Sequence, residues 1–272
     1  MRQPTRQYMR PQLLIINPNT SASVSQILQD MAARELGQQC LVRVQTARLG
    51  ASYISDEVSF AIAGHALLDA YAKDKAEPHQ RTPDAVLIGC FGDPGLLALR
   101  QLCDAPVIGL AQGSMQMAHA RGRYAVITGG QAWVPMLHRL VAQLGLDDRL
   151  SSIHAVDKTG AQLAADPQAA AQALADLCEQ VLAQDPTLQT ILLGGAALGG
   201  LAQPIEALLH ARGIQQINIM DSVASSLRFA AEQASTFAAQ RPSTSGIVRA
   251  SNPVSGMACL NVSPELQALL KP

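Results

Sequence analysis

Cys90 is the side chain in this sequence that is best placed to do chemistry. It ends the apolar run Ala85–Cys90 and precedes Asp93-Pro94, a pair that is typical of a helix N-cap followed by proline at the first helical position. A thiol at a helix N-terminus lies near backbone N–H donors and the positive end of the helix dipole, so its pKa falls and the thiolate is favoured. A thiolate can act as a base or as a nucleophile. The alternative is a buried structural cysteine, and position alone supports both interpretations equally.

The other residue types that often do chemistry form no comparable pattern. The remaining four cysteines are expected to be structural, because each lies within a predicted element or after a loop: Cys40, Cys103, Cys178 and Cys259. Five cysteines without C-x-x-C spacing argue against a disulfide framework and against a structural zinc site. The six histidines show no metal-ligand spacing, and there is no serine nucleophile elbow, phosphate loop or dinucleotide fingerprint. We therefore expect no metal site.

A mostly parallel sheet with helices on its faces is predicted to hold Cys90. Short apolar runs alternate with longer helical stretches, which is the pattern of an α/β fold. The predicted strands are Leu13–Ile16, Cys40–Gln45, Ala85–Cys90, Val107–Leu110, Tyr124–Thr128, Ile153–Val156, Thr190–Gly194 and Ile217–Met220.

Cap residues predict where some of the helices begin and end. The first helix is expected to be capped by Asn19 or Thr20 and to stop near Gly37. Asp166-Pro167 repeats the N-cap pattern of Asp and Pro. The stretch Ala239–Gly256, rich in Ser, Pro and Gly, predicts a long surface loop.

The two halves of the sequence resemble each other. Val86–Cys90 is matched by Ile191–Gly195, and Ile15–Asn19 has a counterpart in Val126–Gly130. In both halves an opening strand precedes a second strand that ends in glycine and a small residue. We interpret this pattern as a duplication that produces two pseudo-symmetric α/β lobes.

The duplication also predicts the domain organisation and the place of the active site. The predicted divisions are residues 12–113 with 222–272 for the first lobe, 114–221 for the second lobe, and 1–11 for a flexible N-terminal extension. Cys90 and Gly195 then face each other across the cleft between the lobes. Open α/β proteins bind ligands at the carboxyl ends of their parallel strands, so this cleft is the expected ligand site.

Composition and charge exclude several classes of function. Hydrophobic residues make up 48% of the chain and charged residues 15%, so much of the sequence must be interior. The formal net charge is -1 with scattered basic residues, which does not suit a nucleic-acid binder. No apolar run approaches the roughly 20 residues of a membrane-spanning helix, and Leu13–Ile16 is too short for a signal-peptide core. We expect a cytoplasmic homo-oligomer that acts on a small molecule, without nucleic-acid or membrane partners.

Four short motifs follow one another in an order that points to a known family. They are I-N-P-N-T-S at Ile16–Ser21, G-C-F-G-D-P-G-L at Gly89–Leu96, Y-A-V-I-T at Tyr124–Thr128 and D-S-V-A at Asp221–Ala224. In this order they resemble the hydantoin and allantoin racemases of the Asp/Glu racemase superfamily. The resemblance runs from Leu13 to about Phe229.

The resemblance implies a cofactor-independent enzyme with one catalytic cysteine in each lobe. In that family one thiolate removes the proton from a carbon next to a carbonyl group, and the opposite thiol returns a proton to the other face. Cys90 matches the first cysteine. Gly195 stands at the position of the second, and Gln112 stands where hydantoin racemases commonly carry Glu. The site is therefore left with one thiol.

The resemblance also implies which residues contact the substrate, largely through backbone N–H groups and short polar side chains. These are Asn17, Phe91, Gly92, Thr128, Gly129, Gly195 and Ala196. Asn17 and Thr128 could equally serve in turns and caps.

These observations predict a racemase-like or isomerase-like enzyme that acts on a carbon acid next to a carbonyl group, such as a hydantoin, an amino-acid derivative or a related carboxylate. Cys90 would be its acid or base. One fixed thiol reaches one face of a planar intermediate, and the neighbours of Gly195 in the sequence carry no titratable group, so we expect proton transfer on one face. Two alternatives stay open, a single-cysteine lyase such as a decarboxylase and a non-catalytic relative that binds a small carboxylate.

Overall fold

The computed structural model of the chain describes residues 10–240 and 259–270 and contains two four-stranded parallel sheets. The strands of the first sheet are β1 (Gln12–Asn17), β2 (Leu41–Thr46), β3 (Ala85–Ile88) and β4 (Val107–Gly109), and those of the second are β5 (Tyr124–Gly129), β6 (Leu150–Val156), β7 (Thr190–Gly194) and β8 (Asn218–Asp221). The predicted α/β fold is confirmed, and all eight predicted strands are found within three residues of their predicted bounds.

The two sheets have the same strand order, which supports the duplication. The orders are β2-β1-β3-β4 and β6-β5-β7-β8, so each strand of the first lobe has an equivalent in the second. The helices are α1 (Ala22–Leu36), α2 (Glu57–Ala76), α3 (Leu96–Leu102), α4 (Leu110–Arg121), α5 (Trp133–Leu144), α6 (Gly160–Ala165), α7 (Pro167–Gln184), α8 (Ala202–Ala211), α9 (Ser222–Gln240) and α10 (Pro264–Leu269). The turn after β3 and the turn after β7 are therefore equivalent, and they hold Cys90 and Gly195.

The central strands account for the continuous apolar runs of the sequence. Leu13–Ile16 of β1 and Ala85–Ile88 of β3 are 0% exposed, and Ala125–Ile127 of β5 and Ile191–Leu193 of β7 are equally buried. Strands that are covered on both faces read as unbroken hydrophobic segments in this way. Their burial fixes the turns at their carboxyl ends.

The start of α1 differs from its prediction by one or two residues. Ser21 is the N-cap, since its side chain accepts a hydrogen bond from the N–H of Val24. The predicted cap residue Asn19 lies just outside, where its side-chain oxygen accepts from the N–H of Ser21 at 2.9 Å. The end near Gly37 is confirmed, with this glycine at a φ of 49°.

Two helices connect the lobes. The chain passes from β4 to β5 through α4 and returns from β8 through α9, which packs on α1, α4 and β3. The hydroxyl group of Ser226 in α9 donates to the carbonyl oxygen of Leu110 in α4 at 2.8 Å. The predicted boundary between residues 113 and 114 falls inside α4, because this one uninterrupted helix joins the two sheets.

The C-terminal part of the described chain returns to the first lobe. Helix α10 packs on α2, and Arg48 pairs with Glu265 at 3.2 Å. The predicted N-terminal extension lies outside the described residues except for positions 10 and 11, and the predicted loop Ala239–Gly256 lies outside them except for its first two positions, which end α9. In the described ranges, no helix is long and apolar enough to cross a membrane.

Candidate active site

A cavity lies where the carboxyl ends of the central strands of both sheets meet. Its walls are formed by residues at or after the carboxyl ends of β1, β3, β5 and β7, together with residues from the segments that follow β2 and β6. Cys90 is on the wall of the first lobe and Gly195 on the wall of the second. The expectation that these two positions share one cleft is confirmed.

Most of the sequence-predicted site residues meet at this cavity. Those that line it are Cys90, Phe91, Thr128, Gly129, Gly195 and Ala196. Asn17 and Gly92 are not among the residues that form its walls. The substrate contacts of all eight residues stay a prediction.

Asn17 organises the turn at the end of β1. Its side-chain nitrogen donates to the carbonyl oxygen of Ser21 and to the hydroxyl group of Ser25, each at 3.0 Å, and its side-chain oxygen accepts from the N–H of Asn19 at 3.2 Å. Asn17 is 0% exposed. Its polar groups are therefore occupied by the protein, and it shapes the turn that brings Asn19 to the cavity.

Gly92 allows the second lobe to pack against the turn that follows Cys90. A Cβ atom at Gly92 would lie 2.6 Å from the ring of Trp133, which begins α5. The indole ring also meets Phe60 edge-on, with ring centroids 6.4 Å apart. A side chain at this position would force the lobes apart, so glycine is needed here for interlobe packing.

Two backbone N–H groups of the cavity wall have no acceptor among the described residues. Within the described ranges, neither the N–H of Phe91 nor that of Ala196 donates to a protein oxygen. The ring of Phe91 packs directly on Gly194, where a Cβ atom would lie 2.3 Å from it. The hydroxyl group of Thr128 donates to the carbonyl oxygen of Gly194 at 2.6 Å and ties β5 to β7. The wall therefore offers unpaired donors on a rigid frame.

The helix predicted to begin at Asp93 does not begin there. Helix α3 starts at Leu96 after Gly95, and Asp93 adopts a φ of 55° in the preceding turn. Its carboxylate instead accepts from the N–H groups of Ala111 and Gln112, at 2.9 and 2.8 Å, and so caps α4. Because the turn intervenes, α3 does not begin where it was predicted, directly after the Cys90 turn at Asp93, and this part of the prediction is wrong.

The thiol of Cys90 is buried, with 7% of the residue exposed. Burial, and after it the carboxylate of Asp93, raises the pKa of Cys90 above its ordinary value. Burial also raises the pKa of Asp93 to about 7, although its backbone N–H donors act in the opposite direction. The predicted lowering of the Cys90 pKa is therefore wrong. At neutral pH the group is a thiol.

Alkylation of Cys90 by iodoacetamide is expected to be slow at pH 7. Its rate should rise only at pH values above the usual pKa of a cysteine thiol. The reagent attacks the thiolate, and a raised pKa moves thiolate formation above the ordinary value of about 8.5. Mass mapping of alkylated peptides after short exposures from pH 7 to pH 10 measures this. Cys259, which is exposed, is the internal reference. Labelling of Cys90 ahead of Cys259 at pH 7 would contradict the expectation.

Sequence reasoning missed several residues of the cavity wall, and three of them come from loops outside the predicted motifs. Tyr53 lies between β2 and α2, Trp133 begins α5 after β5, and Gly160 begins α6 after β6. Each follows the carboxyl end of a parallel strand, and that position is the signal that could have found them. In the part of the chain that the structure describes, no three His, Cys, Asp or Glu residues are grouped to hold a metal ion.

Comparison with known proteins gives this arrangement a family. A family model described as Asp/Glu/Hydantoin racemase matches residues 13–230. A hydantoin racemase of Paenarthrobacter aurescens is 28% identical over 79% of this chain and 90% of its own. A hydantoin racemase of Rhizobium meliloti is 30% identical over 79% of this chain and 86% of its own.

Solved structures agree on the fold. An allantoin racemase from Klebsiella pneumoniae matches 88% of this chain and 98% of its own, with a TM-score of 0.74 at 23% identity. The chain therefore belongs to the Asp/Glu/hydantoin racemase family. The family resemblance of the sequence motifs is confirmed.

Proposed function

We propose that this protein is a cofactor-independent enzyme that moves a proton at a carbon next to a carbonyl group, with Cys90 as its acid and base. The observation that carries the proposal is the cavity, which combines the Cys90 thiol with backbone N–H groups that have no acceptor in the described part of the chain. Membership in the racemase family supports the same class of chemistry.

The chemistry of the cavity favours a neutral substrate. None of the described residues that form its walls is Asp, Glu, Lys, Arg or His. A free amino acid would bring an ammonium and a carboxylate group into this cavity, and burying charges without partners is costly. A hydantoin is a neutral ring whose polar groups need hydrogen-bond partners only. The names of the hydantoin racemases point to the same ring, so the proposed substrate class is a 5-substituted hydantoin.

Proton transfer at such a ring requires Cys90 as a thiolate. Its raised pKa makes the thiolate scarce at neutral pH but also a stronger base, which suits a weak carbon acid. Removal of the ring proton moves negative charge onto the neighbouring carbonyl oxygen. The N–H groups of Phe91 and Ala196 are the donors proposed to stabilise that charge. Because the reacting form is the thiolate, the rate should rise with pH.

Proton–deuterium exchange across matched substrates tests the proposal. The protein is incubated in heavy water with a 5-alkyl hydantoin, the free amino acid of the same side chain and an alkyl malonate, and the α-proton signal is followed by NMR. We expect exchange of the hydantoin at least about 10² faster than in buffer, and no exchange of the amino acid.

The same experiment separates the two alternatives. Release of carbon dioxide from the malonate would identify a lyase. A hydantoin that binds, as shown by ligand-observed NMR, but exchanges no faster than in buffer would identify a binding protein. Exchange of the free amino acid in preference to the hydantoin would contradict the proposed substrate class while leaving the proton chemistry intact.

A further inference from the structure

Tyr53 reaches from one lobe to the other. It lies in the loop between β2 and α2 of the first lobe, yet its hydroxyl oxygen accepts a hydrogen bond of 2.8 Å from the backbone N–H of Gly160 in the second. A Cβ atom at Gly160 would lie 2.3 Å from this oxygen and 3.3 Å from the Cβ atom of Ala197. The hydroxyl group therefore lies at the wall that Gly160 and Ala197 form, which is the wall of Gly195.

Tyr53 and Cys90 are the two acids of the cavity. Of the described residues that form its walls, no other has a side-chain proton that dissociates in the accessible pH range. The hydroxyl group of Thr128 is an alcohol, and its hydrogen is engaged with Gly194. Cys90 belongs to the first lobe and the Tyr53 hydroxyl group is anchored to Gly160 of the second, so the two acids reach the cavity from different lobes.

The hydroxyl group of Tyr53 is arranged as a proton donor. Its oxygen accepts from Gly160, and no residue in the described ranges accepts its own hydrogen. Burial, and to a smaller extent the nearby Cys90, raises the pKa of Tyr53, so the group is protonated at neutral pH. Its hydrogen is therefore available to a ligand in the cavity.

We propose that the Tyr53 hydroxyl group is the second proton-transfer group of this site, in place of the thiol that Gly195 does not supply. The inference rests on the proposed function. The Cys90 thiolate takes the proton of the ring carbon and becomes a thiol, while the electron pair of the C–H bond enters the enolate. The enolate carbon then takes the hydroxyl proton of Tyr53 on its opposite face. The product is the other enantiomer and a tyrosinate, which is the base when the reaction runs in reverse.

The inference changes the expectation that proton transfer occurs on one face. That expectation followed from the sequence neighbours of Gly195, none of which is titratable. Tyr53 lies more than a hundred residues before Gly195 in the sequence and belongs to the other lobe. Its hydroxyl group would take the role of the missing second thiol. Transfer on one face is now the expected behaviour of the Tyr53→Phe variant, whereas the unmodified protein inverts its substrate.

The test compares inversion with exchange. Unmodified protein and Tyr53→Phe are given each enantiomer of a 5-alkyl hydantoin separately in heavy water; chiral chromatography measures inversion and NMR measures α-deuterium. In Tyr53→Phe, inversion should fall by about 10²–10⁴. Exchange with retention should persist for the enantiomer whose hydrogen faces Cys90, because that thiol can return a deuteron to the same face.

Tyr124→Phe is the matched control. This variant also removes a buried tyrosine hydroxyl group, which donates to the carbonyl oxygen of Leu146 at 3.0 Å outside the cavity. Its ratio of inversion to exchange should equal that of the unmodified protein. Inversion in a folded Tyr53→Phe variant within about threefold of the unmodified protein would overturn the inference alone. An equal fall of inversion and exchange for the enantiomer whose hydrogen faces Cys90 would do the same. An unmodified protein that exchanges no hydantoin would overturn the proposed function and the inference together.

Discussion

For the enantiomer of a 5-alkyl hydantoin whose hydrogen faces Cys90, replacing Cys90 with serine should lower the rate of α-proton exchange by about 10²–10⁴. The substitution changes one atom in a buried position, so the shape of the cavity is nearly kept. A serine hydroxyl group is a far weaker acid than a thiol, and its alkoxide is not formed at any pH the protein tolerates. Loss of the base should therefore abolish exchange of one enantiomer and inversion of both. NMR in heavy water measures the first and chiral chromatography the second.

Cys103→Ser provides the control for Cys90→Ser. Cys103 is also buried, but it follows α3 outside the cavity and is hydrogen-bonded to the Tyr71 side chain, a contact that a serine can keep. This variant should exchange hydantoin within about threefold of the unmodified protein. If Cys90→Ser kept more than a tenth of the exchange rate for the enantiomer whose hydrogen faces Cys90, some other group would have to be the base, and Cys90 would lose its proposed role.

The fold could be predicted because its signals are local. Strands β1 and β3 are unbroken apolar runs because both faces of the sheet are covered, and burial of this kind is visible in the sequence. Asp166-Pro167 does begin α7 as predicted. Asp93-Pro94 consists of the same two residue types but does not begin a helix. The Asp93 carboxylate instead accepts hydrogen bonds from N–H groups at the start of α4. A pair of residues cannot show which of two helix ends it will cap.

The candidate site was only partly predictable for a related reason. Cys90 and Gly195 could be paired from the duplication, which is a property of the sequence. The contact of Tyr53 with Gly160 joins positions 107 residues apart on different lobes, and no periodicity or motif links them. The pKa of Cys90 likewise depends on how completely the two lobes exclude water from the thiol. The helix start inferred from Asp93-Pro94 predicted a lowered pKa, whereas burial raises it.

Adding a thiol at Gly195 should restore inversion to the Tyr53→Phe variant. Gly195 faces Cys90 across the cavity, and a Cβ atom there would meet the Leu198 side chain at 3.4 Å, an ordinary contact. The double variant Tyr53→Phe with Gly195→Cys would again have an acid on each face of the substrate. Its inversion rate should exceed that of Tyr53→Phe by about 10², at the lower end of what a positioned acid contributes.

The backbone of Gly195 limits this gain and defines the control. Its φ of 149° is one that residues with a side chain rarely adopt, so any substitution there should destabilise the fold by roughly 1–3 kcal/mol. Tyr53→Phe with Gly195→Ala carries the same strain without a thiol, and thermal unfolding should show equal losses in the two double variants. A difference in inversion between them therefore reports the thiol alone. Equal inversion rates in the two folded double variants would mean that a side chain at position 195 does not reach the reacting carbon. The proposal that Cys90 and Gly195 lie on opposite sides of the substrate would then be wrong.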